Sequence, residues 1–162
     1  MAAKAAALAA AALASVLLVG GCARSGSGRA EWEAGALRLS IDGTGRIVRM
    51  ADARTGRDYR ARAVPSPLLS VQVAGVLLPP RSFAWRPSDS TATLRYAGGV
   101  TARLKVTPKR THLALELVAV EPQGTVQLVV WGPYATTIGD TIGETVGEII
   151  GVVRDASFAV GL

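Results

Sequence analysis

The chain has one cysteine, one histidine and two methionines in 162 residues, and aromatic residues are 5% of it. A single cysteine cannot form a disulfide framework. A single histidine, His112, cannot build a His-cluster metal site. No metal and no cofactor is therefore expected. The phosphate-cradling Walker loop is missing, and so is the dinucleotide fingerprint. Gly43-Thr44-Gly45 has the wrong context for either, because it sits in a hairpin turn. No Gly-x-Ser-x-Gly elbow exists to raise a nucleophilic serine, so His112 reads as a surface or edge histidine and no catalytic residue is assigned. Long apolar runs are also short of what a membrane span needs. Ala5 to Val19 is uncharged but falls below the roughly 20 residues of a spanning helix.

Acidic residues are the minority, 12 against 18 Lys plus Arg, for a formal net charge of +6. The basic residues are scattered, and no block of five or six like charges occurs. No nucleic-acid partner is expected. Hydrophobic residues make up 49%, which excludes a disordered tail. A chain of this length can bury a real core, as one domain with an appendage.

The appendage is at the N-terminus. Lys4 is a short positive region, Ala5 to Val19 an apolar one, and Gly20-Gly21 supply small residues before Cys22. That is the three-part layout of a helical secretory signal peptide over residues 1–21. Val19-Gly20-Gly21-Cys22 also resembles a bacterial lipobox. The resemblance implies lipid attachment at Cys22, a membrane partner reached through that anchor, and a cell-envelope address. Ala23 follows the cysteine, and no aspartate marks inner-membrane retention. By the same resemblance the outer membrane is favoured. Residues 22–34 read as the lipidated cysteine and a flexible tether, with Ala23 to Arg29 rich in Gly, Ser and Arg.

From residue 35 to 162 the chain reads as one β domain. Leu37, Leu39 and Ile41 alternate with polar neighbours, Asp42-Gly43-Thr44-Gly45 turns the chain, and Arg46 to Met50 returns. Further strands are expected over 67–73, 76–78, 82–85, 91–96, 100–107, 112–120 and 125–131. Turns recur every 8 to 12 residues, the spacing of an antiparallel β-sandwich. The segment Ile138 to Val153 changes texture, with glycine at every fourth position: Gly139, Gly143, Gly147 and Gly151. It is expected as a loop or short helix to about Thr145, then a strand through Val153. Phe158 to Leu162 is expected to be a strand, and its abrupt end predicts the front part of a longer protein.

The layout of the first hairpin, Arg54-Thr55-Gly56-Arg57, Pro65 to Ser70 and Trp131-Gly132-Pro133-Tyr134 resembles the N-terminal β-sandwich of large secreted bacterial glycoside hydrolases. In that group a galactose-mutarotase-like supersandwich precedes a catalytic barrel. The resemblance implies a supersandwich-like fold, incomplete here if the chain is the front part of a longer protein, and a carbohydrate context. Trp131 and Tyr134 are the candidate platforms, since aromatic faces stack on the C–H faces of sugars. Glu144 is a third candidate contact, in the only cluster of carboxylates, with Asp140 and Glu148. A glycosidase needs two carboxyls flanking a cleft, which one local face provides poorly.

Three expectations follow. The first is a lipid-anchored sandwich that binds polysaccharide or supports a glycoside hydrolase domain. The second is an envelope lipoprotein that binds a protein partner and has no carbohydrate role. The third is a self-sufficient glycosidase using Asp140, Glu144 or Glu148.

Overall fold

The computed structural model describes residues 28–138, together with the strand backbones Ile142–Val146, Ile150–Arg154 and Ala159–Gly161. Cys22, the signal segment, and the side chains of Asp140, Glu144 and Glu148 lie outside the described residues. The protein is all-β and its sheets are antiparallel. Among the described residues the one helical element is a 3-10 turn at Ala97–Gly99. The candidate metal groupings of three or more His, Cys, Asp or Glu number none among the described residues.

The first sheet holds β1 (Ala30–Ala34), β2 (Leu37–Ile41) and β3 (Ile47–Asp52) in that order. The opposing sheet is a meander of β6 (Ser82–Arg86), β7 (Thr91–Arg95), β8 (Thr101–Pro108) and β9 (Leu113–Glu121). A third sheet places β4 (Leu69–Val73) between β5 (Val76–Leu78) and β10 (Leu128–Trp131). These sheets share one core. Trp32, Leu39, Ile41, Leu69, Val71, Phe83, Leu94, Leu104 and Val106 are all buried in it.

Alternation produces this layering. In β8, Ala102, Leu104 and Val106 are buried while Arg103 and Lys105 are exposed. Successive side chains of a strand point to opposite faces, so one stripe meets the core and the other meets water. The ring of Trp32 meets Phe83 and Trp85 edge-on, at centroid distances of 6.3 and 5.2 Å. Among the described residues its buried Nε1 has no hydrogen-bond partner.

Two register shifts put an extra residue on one strand. On β9, Leu104 pairs with Leu117 and Arg103 with Ala119, which leaves Val118 unpaired. On β3, Ser40 pairs with Arg49 and Ile41 with Ile47, which leaves Val48 unpaired. Both valines are exposed. A bulge expels one residue from the ladder and increases local twist.

The turn between β2 and β3 is built as its sequence suggests. Asp42 Oδ1 accepts hydrogen bonds from the Thr44 amide at 2.9 Å, the Thr44 hydroxyl at 2.7 Å and the Arg46 amide at 3.0 Å. Gly45 has φ +81°, and a Cβ there would lie 2.7 Å from Leu94 and 2.8 Å from Pro80. Both facts require glycine.

Two expectations need correction. The tether does not reach residue 34, because Ala30–Ala34 is a strand paired with β2. Ala30, Trp32 and Ala34 are buried and Glu31 and Glu33 exposed, so the period-two pattern begins before residue 35. From Ile142 to Thr145 the chain is not a loop or short helix. Ile142–Val146 is a strand, β11, paired antiparallel with β12 (Ile150–Arg154), which in turn pairs with β13 (Ala159–Gly161). Four closely spaced glycines penalise a helix at about 1 kcal/mol each relative to alanine, while the β-branched residues between them suit a ladder.

Candidate functional site

Trp131 ends β10 opposite Leu69, and Val129, two residues earlier, is opposite Val71. Leu69 and Val71 are fully buried. Residues of one parity share a face, so Trp131 belongs to the core-facing side of its sheet. It is half-buried and packs against the core cluster.

Gly132 and Pro133 then redirect the chain. Gly132 has φ +87°, and a Cβ there would come within 2.7 Å of the Tyr134 amide nitrogen. The bend lays Tyr134 back over the segment before β4. The Tyr134 hydroxyl donates to the Leu68 carbonyl at 2.8 Å. The Ser70 hydroxyl donates to the Gly132 carbonyl at 2.8 Å, and the Ala135 amide donates to Ser66 Oγ at 3.1 Å. Tyr96, which follows β7, donates to the Leu69 carbonyl at 3.1 Å. Ser66 and Ser70 are buried. Buried hydroxyls need partners, and each of these has one. Burial pushes both the Tyr134 and the Tyr96 phenols well above the usual tyrosine range.

The two aromatic candidates are therefore brought together, but as a clamp. Tyr134 spends its hydroxyl on the backbone, and Trp131 contributes area to the core. Glu144 lies on β11 opposite Val152, and its side chain is outside the described residues. His112 is exposed, with Nδ1 3.2 Å from the Thr111 hydroxyl oxygen.

Sequence reasoning passed over Ser66 and Ser70. Their signal was faint: serine flanked by Pro65, Pro67 and Leu69 in a run otherwise fit for burial. It also passed over Asp52. That carboxylate is almost wholly buried and takes Arg54 in a bidentate grip, with Nε to Oδ1 at 3.0 Å and Nη2 to Oδ2 at 2.9 Å. The Arg54 side chain, with help from its amide, holds the Asp52 pKa down at about 2. This grip organises the turn that follows β3, where the Gly56 amide also donates to the Asp52 carbonyl at 2.7 Å.

Concave surface is found elsewhere. A groove of about 410 Å³ lies between the end of β9 and the start of β10, lined by Leu117, Val118, Val120, Pro122, Val126 and Val129. Among the described residues β9 pairs only with β8, and β10 only with β4, so this side of the sandwich carries two strand edges. A second groove, about 340 Å³, is lined by Thr44, Arg46, Leu78, Pro79, Pro80 and Arg81. No protein-family model matches the chain, and no curated protein or solved structure matches it.

Proposed function

We propose that this chain is an exported, lipid-anchored β-sandwich module in polysaccharide handling, and that it supports or positions a partner domain. The observation that carries the reading is the open side of the sandwich, where the β9 and β10 edges border an apolar groove. An unpaired edge beside apolar surface is the usual seat for another folded element. The inward placement of Trp131 and Tyr134 favours support over direct stacking on sugar. The lipobox-like Val19 to Cys22 supports the anchor, and the resemblance to secreted glycoside hydrolases supports the carbohydrate context.

Two measurements on the native protein test this. Its intact mass from detergent-solubilised host membranes should show acyl groups on a chain starting at Cys22; an unacylated chain that keeps residues 1–21 rejects the anchor. A photo-crosslinker at Val118 should capture a carbohydrate-active domain, on the same polypeptide or another. Glycan binding by the chain itself, lost in Trp131→Ala with the fold retained, would replace support by direct binding. Capture of an envelope protein without carbohydrate activity would install the partner-binding alternative.

A further inference from the structure

The second groove combines features that the support reading does not use. Arg46 and Arg81 line it and are exposed. Among the described residues, no carboxylate stands within ion-pair distance of either guanidinium. Asp42 acts on Arg46 electrostatically from beyond ion-pair distance, with its Oδ1 held by Thr44 and by the Arg46 amide. Leu78, Pro79 and Pro80 form the apolar part of the wall. The two residues that lead into them, Val76 and Leu77, are 58% and 46% exposed, one on each face of β5, which is the edge strand of its sheet. Cationic and apolar surface thus adjoin on one strand and one turn.

The chain enters the domain at the same place. Gly28, the first described residue, packs on Gly43: a Cβ on Gly43 would lie 3.0 Å from the Gly28 carbonyl oxygen. Gly43 is followed directly by Thr44, which lines the groove. Residues 1–27 therefore join the domain beside the two arginines. The opposite end of β1 lies about 15 Å away at a strand rise of about 3.3 Å per residue. There Gly35 meets Thr111. Lys109 and Arg110 are exposed nearby, but their neighbours Thr111 and His112 are polar. That end has charge without an apolar partner.

We infer that the Arg46–Arg81 groove and the exposed edge strand β5, inserted edge-on, dock on an anionic phospholipid bilayer. The guanidiniums meet lipid phosphates, and Val76 and Leu77 enter the headgroup region. Basic side chains near such a surface each strengthen binding about fivefold. Apolar side chains add area-dependent partitioning. The inference rests on the anchor reading for the side on which the bilayer lies. It adds an orientation: the β5 edge turned to the membrane.

The test uses the full chain purified from host membranes, with Leu77→Cys or Thr111→Cys carrying an environment-sensitive fluorophore. Vesicles are phosphatidylcholine alone, or phosphatidylcholine with phosphatidylglycerol in equal parts. The Leu77 label should shift to the blue in the anionic vesicles and much less in the neutral ones. The Thr111 label should shift in neither. Arg46→Gln and Arg81→Gln should each lower the docked-to-free ratio about fivefold, and added salt should do the same. Equal Leu77 signals in both vesicles overturn the inference, as does a shift at Thr111 in its place. A shift seen only in native membranes, and absent from protein-free vesicles, points to a protein partner and also overturns it. Labels per chain report on the anchor separately, because Cys22 is the only natural thiol. One label means Cys22 is blocked. Two labels reject the anchor alone, and docking is then read in the Cys22→Ser background.

Discussion

Gly132 is a position where one methyl group would be felt across the molecule. With φ at +87° and the Tyr134 amide in the way, Gly132→Ala combines backbone strain with a steric clash. A loss of about 1–3 kcal/mol is expected, measured by urea unfolding of the full chain. Tyr134→Phe removes only the hydrogen bond to Leu68 and should cost about 1 kcal/mol. The same side chain makes stability fall at high pH. Its phenol, and that of Tyr96, is raised in the folded state, so each stabilises the fold below the ordinary tyrosine pKa. That contribution drains away as pH climbs past the unfolded value of about 10. Tyr134→Phe should flatten the alkaline limb of a stability–pH curve. At the acid end the sign reverses. Asp52 is depressed to about 2, so its contribution is present above the unfolded aspartate value and lost as pH falls toward 2. Asp52→Asn should be less stable at neutral pH and show a shallower acid limb.

At the scale of elements, β9 is the exposed flank of a four-stranded sheet. Its bulge sets Val118 outside the ladder. Deleting Val118 leaves the pairs Leu104–Leu117 and Arg103–Ala119 able to form one regular ladder. The fold should survive, and the straightened edge should self-associate. Sedimentation velocity would detect the new dimers or larger species; a strictly unchanged profile would refute a protective role for the bulge. Elements were also where the sequence was most readable. Leu37-Leu39-Ile41 and Ala102-Leu104-Val106 alternate cleanly, and both stripes are on the core-facing side. β1 has the same alternation in Ala30, Trp32 and Ala34, but it adjoins a Gly/Ser/Arg stretch that hid it. The β11 strand was obscured by a four-residue glycine spacing that resembles helix packing. The Trp131–Tyr134 clamp was half visible. Its glycine and proline announce a rigid turn, yet the direction of the rings depends on Leu68 and Ser70, more than sixty residues away. Local pattern holds no information about such a partner.

For the whole molecule, the core cluster draws on residues from Ala30 to Val106, with flanking support as far as Tyr134. Residues 28–138 should therefore fold as a unit. A chain with those ends is expected to unfold in one transition, with tryptophan fluorescence and far-ultraviolet dichroism superimposed. Separated transitions would show that the later strands complete the core. The same view separates two faces of the domain. The β9–β10 side offers apolar groove and strand edge, suited to a folded partner, while the Arg46–Arg81 side offers cation and hydrophobe, suited to lipid. If the proposed anchor and lipid face hold, the module would keep a partner at a set height above a membrane.

The hydroxyl contacts that fasten the Gly132–Ala135 bend to Ser66, Leu68 and Ser70 join parts of the chain made at different times. During synthesis the β4–β5 hairpin emerges first, with the Leu68 carbonyl and the Ser70 hydroxyl still open to water. Nothing can fasten them until Tyr134 has left the ribosome. Until then β4 has β5 beside it but not β10, so this edge of the domain closes only late in synthesis.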